Sequence, residues 1–343
     1  MTHRPHRLIL DTDALQSNWR WLAERGGAPA GAAIKADGYG VGARAVMTHL
    51  HAAGAREFFV STWSEAEALG TLPEGARLAV LHGLGPDDAQ AAAGSAARPV
   101  LVSTSQAQRW RIAFEDRPCD VMVDTGMNRL GVAMDELDAL DGLNIDTLHS
   151  HLACADEDHA LNETQLSRFR QLKQRIPAKA YSLANSAGIC LGPDYGFDLT
   201  RPGLALYGGI PRSEARGHIR SVVTPEAQVV QVRTLKAGDS IGYGATFTAE
   251  RDMPVAILNI GYADGYWRNL SGKGHVEIGN TMLPLVGRVS MDLVAVDISR
   301  MKDWREGDWM PLAFDLETVA ADVGLSQYEV LTGLGTRFAR RWR

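Results

Sequence analysis

In Gly31-Ala-Ala-Ile-Lys-Ala-Asp-Gly-Tyr-Gly-Val-Gly42, an apolar run too short for a helix ends at a lysine and opens into a glycine-rich turn. The run predicts a buried strand with Lys35 at its end. An ammonium group is costly to bury, so a lysine there indicates nucleophilic or base chemistry through a lowered pKa. The alternative is a surface lysine beside an ordinary strand-to-helix turn, and this segment alone leaves both interpretations open.

Short apolar runs of this kind recur and alternate with helix-like stretches. The runs are Ala32–Lys35, Phe58–Ser61, Leu78–His82, Val100–Val102, Val121–Asp124, Ile145–His151, Tyr181–Ala184 and Leu204–Tyr207. The clearest helix is predicted over Asp158–Lys173, where leucine and phenylalanine side chains form one apolar face. Eight strand-helix repeats predict an α/β fold, a TIM-like (β/α)8 barrel, with a doubly wound open sheet as the alternative.

After residue 220 the pattern changes to strands separated by turn residues. Strands are predicted at Gln228–Leu235, Pro254–Ile260, His275–Ile278 and Leu293–Ile298, with one helix over Leu316–Val323 and another near Tyr328. The predicted domains are therefore a barrel over residues 1–220 and a mostly β C-terminal domain over residues 221–343. The first ~10 residues of the barrel segment could pair with the second domain.

The composition disfavours several classes of protein. A net charge of −6 and a pI near 5.9 argue against nucleic acid or an anionic membrane as the main partner. Cys119, Cys154 and Cys190 are an odd number without Cys-x-x-Cys spacing, which fits a reducing compartment better than a disulfide framework or a zinc site. With no signal peptide and no run of membrane-spanning length in view, we expect a cytoplasmic protein.

Another predicted strand, Val121–Asp124, also runs into a polar loop. The carboxyl ends of barrel strands are where catalytic groups meet, so this loop is a candidate part of the site. Arg129 in it could hold a carboxylate through two parallel hydrogen bonds. The alternative is a surface ion pair between Arg129 and Asp124.

Small polar groups near the last two strands favour an anionic ligand. Asn185 and Ser186 precede a possible helix N-terminus, where unpaired N–H groups attract anions. Arg201 and the backbone N–H of Leu204 repeat this pattern on the last strand. With the hydroxyl of Tyr39 in the first glycine loop, they favour a phosphorylated ligand at the end of a barrel where phosphates often bind.

Two histidines support a different hypothesis. His149 and His151 lie on the same face of a predicted strand, because side chains alternate along a strand. Paired histidines can bind a divalent metal, and Asp156, Asp158 and His159 follow closely, so a metal-dependent hydrolase is a second hypothesis. The later barrel strands supply amide, hydroxyl and guanidinium groups in place of further histidines, which weakens this hypothesis.

With these segments in view, the sequence closely resembles the alanine racemase family of fold-type III pyridoxal phosphate enzymes. The resemblance runs from Asp11 to the C-terminus. The matching segments, all in the family's order, are Ile34–Gly40, Val123–Gly131, Asn185–Gly188, Arg201–Gly208, Gly242–Thr246, Ile260–Tyr266 and Gly287–Asp292. Any one of them could be chance, whereas seven in order could hardly be.

The resemblance implies pyridoxal 5'-phosphate as cofactor and two residues that move protons. In the family, the lysine matching Lys35 carries the cofactor and moves a proton on one face of the substrate, and the tyrosine matching Tyr243 acts on the other face. That tyrosine comes from the partner subunit, so the resemblance implies a head-to-tail homodimer. From the residues alone, a tyrosine between glycines, like Tyr243, is more often a packing residue.

The resemblance also implies residues that bind the cofactor. The matches to phosphate contacts are Tyr39, Ser186 and Leu204, with Trp342 where the family usually has a tyrosine. Arg201 would hydrogen-bond the pyridine nitrogen and, because a guanidinium has a very high pKa, would leave it unprotonated. The weaker electron sink favours racemisation over transamination or decarboxylation. His151 would link Arg201 to the tyrosine base.

Substrate contacts are implied in the same way. Arg129 would meet the substrate carboxylate with the backbone N–H of Met291, and Asp292 follows in the same segment. Tyr262 would narrow the entrance and favour a small side chain such as methyl. No resident metal is implied.

The chain departs from the family pattern at a few positions. Met122 stands where many members carry a carbamylated lysine that positions the arginine, and Val41 and Asp37 replace a histidine and an asparagine in the first loop. With Trp342, these changes bear on cofactor affinity and on the orientation of Arg129, and leave the reaction class unchanged.

The predicted function is the interconversion of L- and D-alanine, supplying D-alanine for peptidoglycan. A racemase of broader specificity, or one acting on serine or lysine, is the alternative on the same scaffold. A non-catalytic pyridoxal phosphate carrier, an amino-acid decarboxylase and the metal-dependent hydrolase are the alternatives from other classes.

Overall fold

The computed structural model describes residues 4–301 and 303–343, and the chain divides into two compact units. One unit is Asp13–Arg220, and the other joins the N-terminal residues up to Thr12 to Ser221–Arg343. The strand His6–Leu10 pairs antiparallel with Val223–Leu235 and parallel with Ala339–Trp342. The N-terminal strand therefore belongs to the sheet of the C-terminal unit.

The unit Asp13–Arg220 is built around a parallel sheet whose strands follow one another in chain order. The strands are Ala32–Ala33, Glu57–Val60, Arg77–Val80, Arg98–Leu101, Cys119–Met122, Ile145–His149 and Ala180–Ser182. The segment around Thr200 closes this sheet, because the Thr200 carbonyl accepts the N–H of Gly31 at 2.9 Å and the Arg201 N–H donates to Ala184 at 2.8 Å. The ring of parallel backbone confirms the predicted barrel.

Helices connect the strands of the barrel. The α-helices are Thr12–Gly26, Lys35–Tyr39, Ala43–Ala53, Trp63–Leu69, Ala89–Ala93, Thr104–Phe114, Ala160–Arg175 and Ser186–Leu191, with 3-10 helices at Leu137–Leu140, Pro193–Tyr195, Leu204–Tyr207 and Ser213–Ala215. The helix predicted over Asp158–Lys173 is observed at Ala160–Arg175. It begins there because the ring of His159 accepts the N–H of Leu161 at 3.0 Å and caps the helix.

The prediction of a strand at Leu204–Tyr207 is wrong. This run is a 3-10 helix, and the segment around Thr200 takes the eighth position of the barrel. All four of its side chains are buried, so the run is apolar on every side and carries no periodicity that distinguishes a strand from a buried helix. Gly208, with φ of 98°, ends it in the left-handed conformation.

The side chains inside the barrel change from apolar to charged along the strands. An apolar cluster consists of Phe59, Ala79, Val100, Val102, Met122 and Leu199. On three of these strands, the residue two positions before the cluster member is charged: Glu57, Arg98 and Asp120. Side chains two residues apart lie on the same face of a strand. Charged groups therefore lie inside the barrel beneath the apolar cluster.

The C-terminal unit is mostly antiparallel. Its other strands are Val223–Leu235, Ser240–Ile241, Phe247–Thr248, Met253–Leu258, His275–Ile278, Thr281–Val286, Val294–Asp297, Trp309–Pro311 and Ala339–Trp342, with 3-10 helices at Tyr243–Ala245, Tyr262–Asp264 and Arg268–Leu270. The predicted helix Leu316–Val323 is observed with these bounds, capped by Asp315, and Gln327–Thr332 follows it. Across the described ranges, no helix combines the length and apolarity that a membrane crossing requires.

Candidate active site

Lys35 begins a tight left-handed turn directly after the first barrel strand. The backbone φ is 51° at Ala36 and at Asp37, 63° at Gly38 and 55° at Tyr39. For residues with a side chain, this conformation costs about 1–2 kcal/mol each. Strain of this kind is concentrated at functional sites. The turn thus places the lysine at the carboxyl end of the barrel, where the sequence predicts it.

Glu65 stabilises this turn through hydrogen bonds and also affects the pKa of Lys35. One of its carboxylate oxygens accepts the N–H of Ala36 at 2.7 Å, and the other accepts the N–H of Ser61 at 2.6 Å. Burial and then Arg129 lower the pKa of the Lys35 amine from its ordinary value, and Glu65 opposes them. A lowered pKa makes more of the neutral amine available, which is the form that attacks an aldehyde or takes a proton.

Tyr39, Ser186 and Leu204, all matched to phosphate contacts, converge on Gly203. A methyl group added at Gly203 would lie 2.3 Å from the Tyr39 hydroxyl. The hydroxyl of Ser186 accepts the N–H groups of Gly203 at 2.9 Å and Ala205 at 3.3 Å. Leu204, between them, donates its N–H to no carbonyl of the residues described. We call this set the Gly203 cradle; its hydroxyl and N–H groups are donors that a phosphate can use.

Tyr39 is fixed in the cradle by a second tyrosine. The rings of Tyr39 and Tyr207 stack with centroids 4.7 Å apart and an interplanar angle of 25°. The Tyr207 hydroxyl donates to the carbonyl of Ala33 at 2.8 Å, which ties the stack to the first strand. The orientation of Tyr39 is therefore set by buried packing.

Arg201 is 7% exposed, and its guanidinium is held by neighbouring oxygens. Nη1 donates to the carbonyl of Ser182 at 2.8 Å and to its hydroxyl at 2.5 Å, and Nη2 donates to the carbonyl of Ser150 at 2.5 Å. Burial lowers the pKa of Arg201 to about 10, with Asp120 acting in the opposite direction. The side chain therefore remains a fixed, cationic donor at neutral pH.

His151 lies among cations. Burial, then Arg201, Arg129 and Lys35 lower its pKa to about 3, so the imidazole is neutral at physiological pH. Its strand neighbour His149 is hydrogen-bonded to Arg201. A divalent cation would be repelled here, and residues 4–301 and 303–343 contain no group of three or more His, Cys, Asp or Glu that could hold a metal ion. The histidine pair thus does not support the metal-hydrolase hypothesis.

Arg129 is exposed and, among the residues that the structure describes, forms no ion pair or hydrogen bond. Asp124, weighed as its surface partner, instead accepts the N–H groups of Gly126 at 2.8 Å and Met127 at 2.9 Å and so shapes the loop. Met122 is buried in the apolar cluster and supplies no charge. The alternative of an ion pair between Arg129 and Asp124 is therefore not observed among the described residues, and Arg129 is available for an external carboxylate.

Tyr243 lies in the C-terminal unit and is 70% exposed. It stands in the turn between Ser240–Ile241 and Phe247–Thr248, flanked by Gly242 and Gly244 with φ of 79° and 75°. The residue pattern alone favours a packing role, but the ring is not buried in the core of its own unit. The glycines bend the turn so that the phenol points away from the core of its own unit.

Tyr262 and Met291, matched to substrate contacts, lie in adjacent loops of the C-terminal unit. The N–H of Tyr262 donates to Ser290 at 3.0 Å, and that of Ala263 donates to Met291 at 3.1 Å. A methyl group at Gly261 would lie 2.3 Å from the Met291 carbonyl oxygen, so glycine permits the close approach. Both side chains of the pair are exposed.

Asp292 and Trp342 complete the sequence-predicted residues. The Asp292 carboxylate accepts a hydrogen bond from Arg337 at 2.8 Å, beside the loop of Met291. Tyr243 and Ser290 line a common cavity of about 430 Å³ in this unit. Trp342 lies on the last strand in register with Leu10, and its contact with a phosphate stays a prediction.

Comparison with known proteins accounts for both units. The family described as "Alanine racemase, N-terminal domain" matches residues 10–211, and "Alanine racemase, C-terminal domain" matches residues 222–342. The chain belongs to the alanine racemase family. Its match covers almost the full chain, which confirms the resemblance stated from the sequence.

Individual alanine racemases agree with this assignment. The chain is 39% identical over 347 residues to the alanine racemase of Acidiphilium cryptum, covering 97% of each chain. It is 41% identical over 344 residues to that of Dinoroseobacter shibae, covering 98% of this chain and 97% of the relative. A crystal structure of alanine racemase from Bartonella henselae with covalently bound pyridoxal phosphate matches with a TM-score of 0.89, 36% identity and full coverage of both chains.

The barrel residues of this alanine racemase family member fit a pyridoxal phosphate cofactor. The Gly203 cradle offers donors for the phosphate, and a methyl group at Gly203 would fill it. Arg201 offers a fixed donor for the ring nitrogen, and Lys35 offers an amine with a lowered pKa. The cradle, the guanidinium and the amine therefore match the phosphate, the ring nitrogen and the aldehyde of the cofactor.

Some residues that shape the site were not anticipated. Gln165 is fully buried, donates to Thr125 at 3.1 Å and to the His151 carbonyl at 2.9 Å, and accepts the N–H of Ala153 at 2.9 Å. No local pattern on its helix indicates this role. The role of Glu65 at a helix start could have been predicted, because Thr-x-x-Glu is the sequence pattern of a capping box.

Proposed function

We propose that this chain is a pyridoxal 5'-phosphate-dependent alanine racemase that interconverts L- and D-alanine. The observation that carries the proposal is the convergence of Tyr39, Ser186 and Leu204 on Gly203 in the same barrel that presents Lys35 and Arg201. Membership of the alanine racemase family supports it.

Bound pyridoxal phosphate withdraws electrons from the substrate Cα and so acidifies the α-proton. The cradle residues would bind its phosphate, and Lys35 would hold its aldehyde carbon. Arg201 would donate to the ring nitrogen without protonating it, because a guanidinium keeps its own proton. The limited electron sink disfavours transamination and decarboxylation, and Arg129 would orient the substrate carboxylate.

Inversion at Cα requires proton carriers on both faces, because a single base returns the proton to the face from which it came. Lys35, whose pKa is lowered by burial and by Arg129, is the group proposed to carry the proton on one face. The phenol of Tyr243 is the group proposed for the opposite face. In this proposal it comes from a second copy of the chain.

A head-to-tail homodimer is therefore part of the proposal. Support comes from the C-terminal unit, where the Tyr243 ring is exposed and large apolar side chains are too. These side chains are Val230, Val232, Tyr262, Met282, Met291, Leu293 and Tyr328. Leu293 lines the same cavity as Tyr243, so this part of the exposed apolar surface is contiguous, as a protein interface requires.

Subunit mixing tests the shared site. The variants Lys35→Ala and Tyr243→Phe should each be nearly inactive, whereas a hybrid dimer keeps one intact site made of the wild-type lysine of one chain and the wild-type tyrosine of the other. Full random exchange should restore about a quarter of the wild-type rate. No recovery in a mixture shown by native mass spectrometry to contain hybrids would refute the shared site.

Substrate choice is tested by chiral analysis of the products from each enantiomer of alanine, serine and lysine. The proposal expects alanine to turn over fastest, since Tyr262 narrows the entrance. Faster turnover of serine or lysine would assign the chain to a different racemase. Cofactor binding without any racemisation would identify a carrier instead.

We also propose that the protein acts in the cytoplasm and supplies D-alanine for peptidoglycan. Its three cysteines are free thiols, which suits a reducing compartment. A bacterium that requires D-alanine should grow without it when expressing this chain, and should not when expressing Lys35→Ala. Growth with neither, from soluble protein that racemises alanine in vitro, would contradict the biosynthetic role.

A further inference from the structure

Buried polar side chains form a continuous path through the barrel beneath Arg201. The members, from the carboxyl end inward, are Arg201, His149, Asp120, Arg98 and Glu57. The successive links are Arg201 Nη1 to His149 Nδ1 at 3.3 Å, His149 Nε2 to Asp120 Oδ2 at 3.3 Å, Asp120 Oδ1 to Arg98 Nε at 3.0 Å, and Arg98 Nη2 to Glu57 Oε2 at 3.2 Å. His149 and Asp120 have no exposed surface.

The hydrogen bonds fix the protonation of His149. A guanidinium only donates, so Nδ1 of His149 must accept from Arg201 and Nε2 must carry the proton that is donated to Asp120. Burial is the main cause that lowers the pKa of His149 to about 4, so the imidazole is neutral at pH 7. A neutral ring thus connects a cation to a carboxylate.

The carboxylate at the other end is firmly held. Burial alone would raise the pKa of Asp120, but hydrogen bonds from His149 and Arg98 outweigh it and lower the pKa. Asp120 also accepts the N–H of Thr147 at 3.1 Å. Arg98 and Glu57 continue the alternation of charge. Asp120 therefore fixes both the orientation and the tautomer of His149.

The carboxylates of Asp120 and Glu57 would be balanced without His149, because Arg98 forms ion pairs with both and Arg77 forms a second ion pair with Glu57. Burying charges is costly, and a group kept only for stability has no need of a link to the guanidinium. The one acceptor atom of His149, Nδ1, bonds to Arg201. The proposed function places Arg201 against the ring nitrogen of the cofactor. This link adds to the bonds from the guanidinium to Ser182 and Ser150, and it is the one that connects Arg201 to the buried ion pairs.

Building on the proposed function, we propose that His149, oriented by Asp120, is a positioning residue that fixes the guanidinium of Arg201 and thereby suppresses transamination. A guanidinium that swings away from the ring nitrogen would leave that nitrogen open to protonation by water. The stronger electron sink would then favour transfer of the amino group to the cofactor, which yields pyruvate and pyridoxamine phosphate from alanine.

Three variants separate the two hydrogen bonds of His149. In His149→Asn the amide oxygen can take the place of Nδ1 and keep the bond to Arg201. In His149→Gln the amide nitrogen can take the place of Nε2 and keep the bond to Asp120. His149→Leu keeps neither. The readout is the ratio of pyridoxamine phosphate formed to alanine racemised in the holoenzyme, with the visible absorption spectrum of the bound cofactor.

We expect the ratio to stay within about twofold of wild type in His149→Asn and to rise about tenfold in His149→Gln and His149→Leu, the scale of one charge-assisted hydrogen bond. The absorption spectrum should change in the same two variants. If His149→Leu does not fold, His149→Gln decides the question, since it keeps the bond to Asp120. Denaturant unfolding of the cofactor-free proteins monitors stability separately.

An unchanged ratio in His149→Gln, with or without lower stability, would reduce His149 to a structural role and overturn the inference. An equal rise in His149→Asn and His149→Gln would also overturn it, because the bond to Arg201 would not be the cause. Absence of racemisation by the wild-type holoenzyme would instead overturn the proposed function, so the two failures are distinguishable.

Discussion

The hydroxyl of Tyr39 lies so close to Gly203 that a methyl group built on that glycine would come within 2.3 Å of the hydroxyl oxygen. This contact joins the loop after the first strand to the turn that follows the closing segment of the barrel. The absence of a side chain at position 203 is what gives the hydroxyl its place beside Ser186 and Leu204.

Gly203→Ala should weaken cofactor binding by about tenfold or more, because the displaced Tyr39 hydroxyl would lose its contact with the phosphate. The φ of Gly203 is −132°, so the substitution adds no left-handed strain. The measurement is a titration of cofactor-free protein with pyridoxal phosphate. Gly94→Ala is the matched control, since its nearest neighbour would be 3.7 Å away, and should bind like wild type.

The double variant Tyr39→Phe with Gly203→Ala tests the cause. In the Tyr39→Phe background the hydroxyl is already gone, so adding Gly203→Ala should weaken binding less than it does alone. Strict additivity of the two losses would mean that Gly203 does not act through Tyr39.

The pKa of Lys35 should move in opposite directions when its two charged neighbours are neutralised. Arg129→Gln removes a cation that lowers the pKa, so the pKa should rise; Glu65→Gln removes an anion that raises it, so the pKa should fall. Burial, the larger cause, remains in both variants. The pH dependence of Lys35 modification by an amine reagent, followed by peptide mass spectrometry of cofactor-free protein, measures the midpoint. Shifts of the same sign would contradict this assignment.

Tyr243→Phe should slow removal of the α-proton from L-alanine by about 100-fold or more, the scale of general acid–base catalysis, and slow removal from D-alanine less. The reason is that the phenol serves one face and Lys35 serves the other. Exchange of the α-proton with deuterated water, followed by NMR for each enantiomer separately, measures this directly. Equal losses for the two enantiomers would rule out the two-base assignment.

Because Ala36 lies in the left-handed turn after Lys35, we expect valine and glycine at this position to change the free energy of unfolding by different amounts. Ala36→Val should lower the free energy of unfolding by about 1–2 kcal/mol, because a β-branched residue is poorly suited to positive φ. Ala36 is exposed, so the change involves little packing. Ala36→Gly should be tolerated. Chemical denaturation of both variants is the measurement, and equal stability of the two would argue against the left-handed conformation.

Much of the fold could be predicted because it depends on local patterns. The buried strands of the barrel are short apolar runs, and the helix Leu316–Val323 has a capping aspartate before it and Gly324 after it. Leu204–Tyr207 was predicted as a strand and is a 3-10 helix, because the sequence of an apolar run buried on all sides does not distinguish the two.

In the candidate site too, residues marked by a local pattern could be predicted, whereas contacts between residues distant along the chain could not. Lys35 and Tyr39 were identified because polar residues that follow an apolar strand stand out in the sequence, and the role of Arg201 came from the family resemblance. The Tyr39 contact with Gly203 and the His149 link to Asp120 were not, since each joins residues distant along the chain. Exposure of Tyr243 likewise depends on how its hairpin lies on the sheet, which its glycine neighbours alone do not determine.

The central claim is that Lys35 carries pyridoxal phosphate in an alanine racemase. Borohydride reduction of the purified holoenzyme, followed by peptide mapping, tests it most directly, because reduction makes the link between amine and cofactor permanent. The account predicts one pyridoxyl group on the peptide that contains Lys35 and loss of racemase activity in proportion to its formation. A pyridoxyl group on another lysine, or none on protein that racemises alanine, would contradict it.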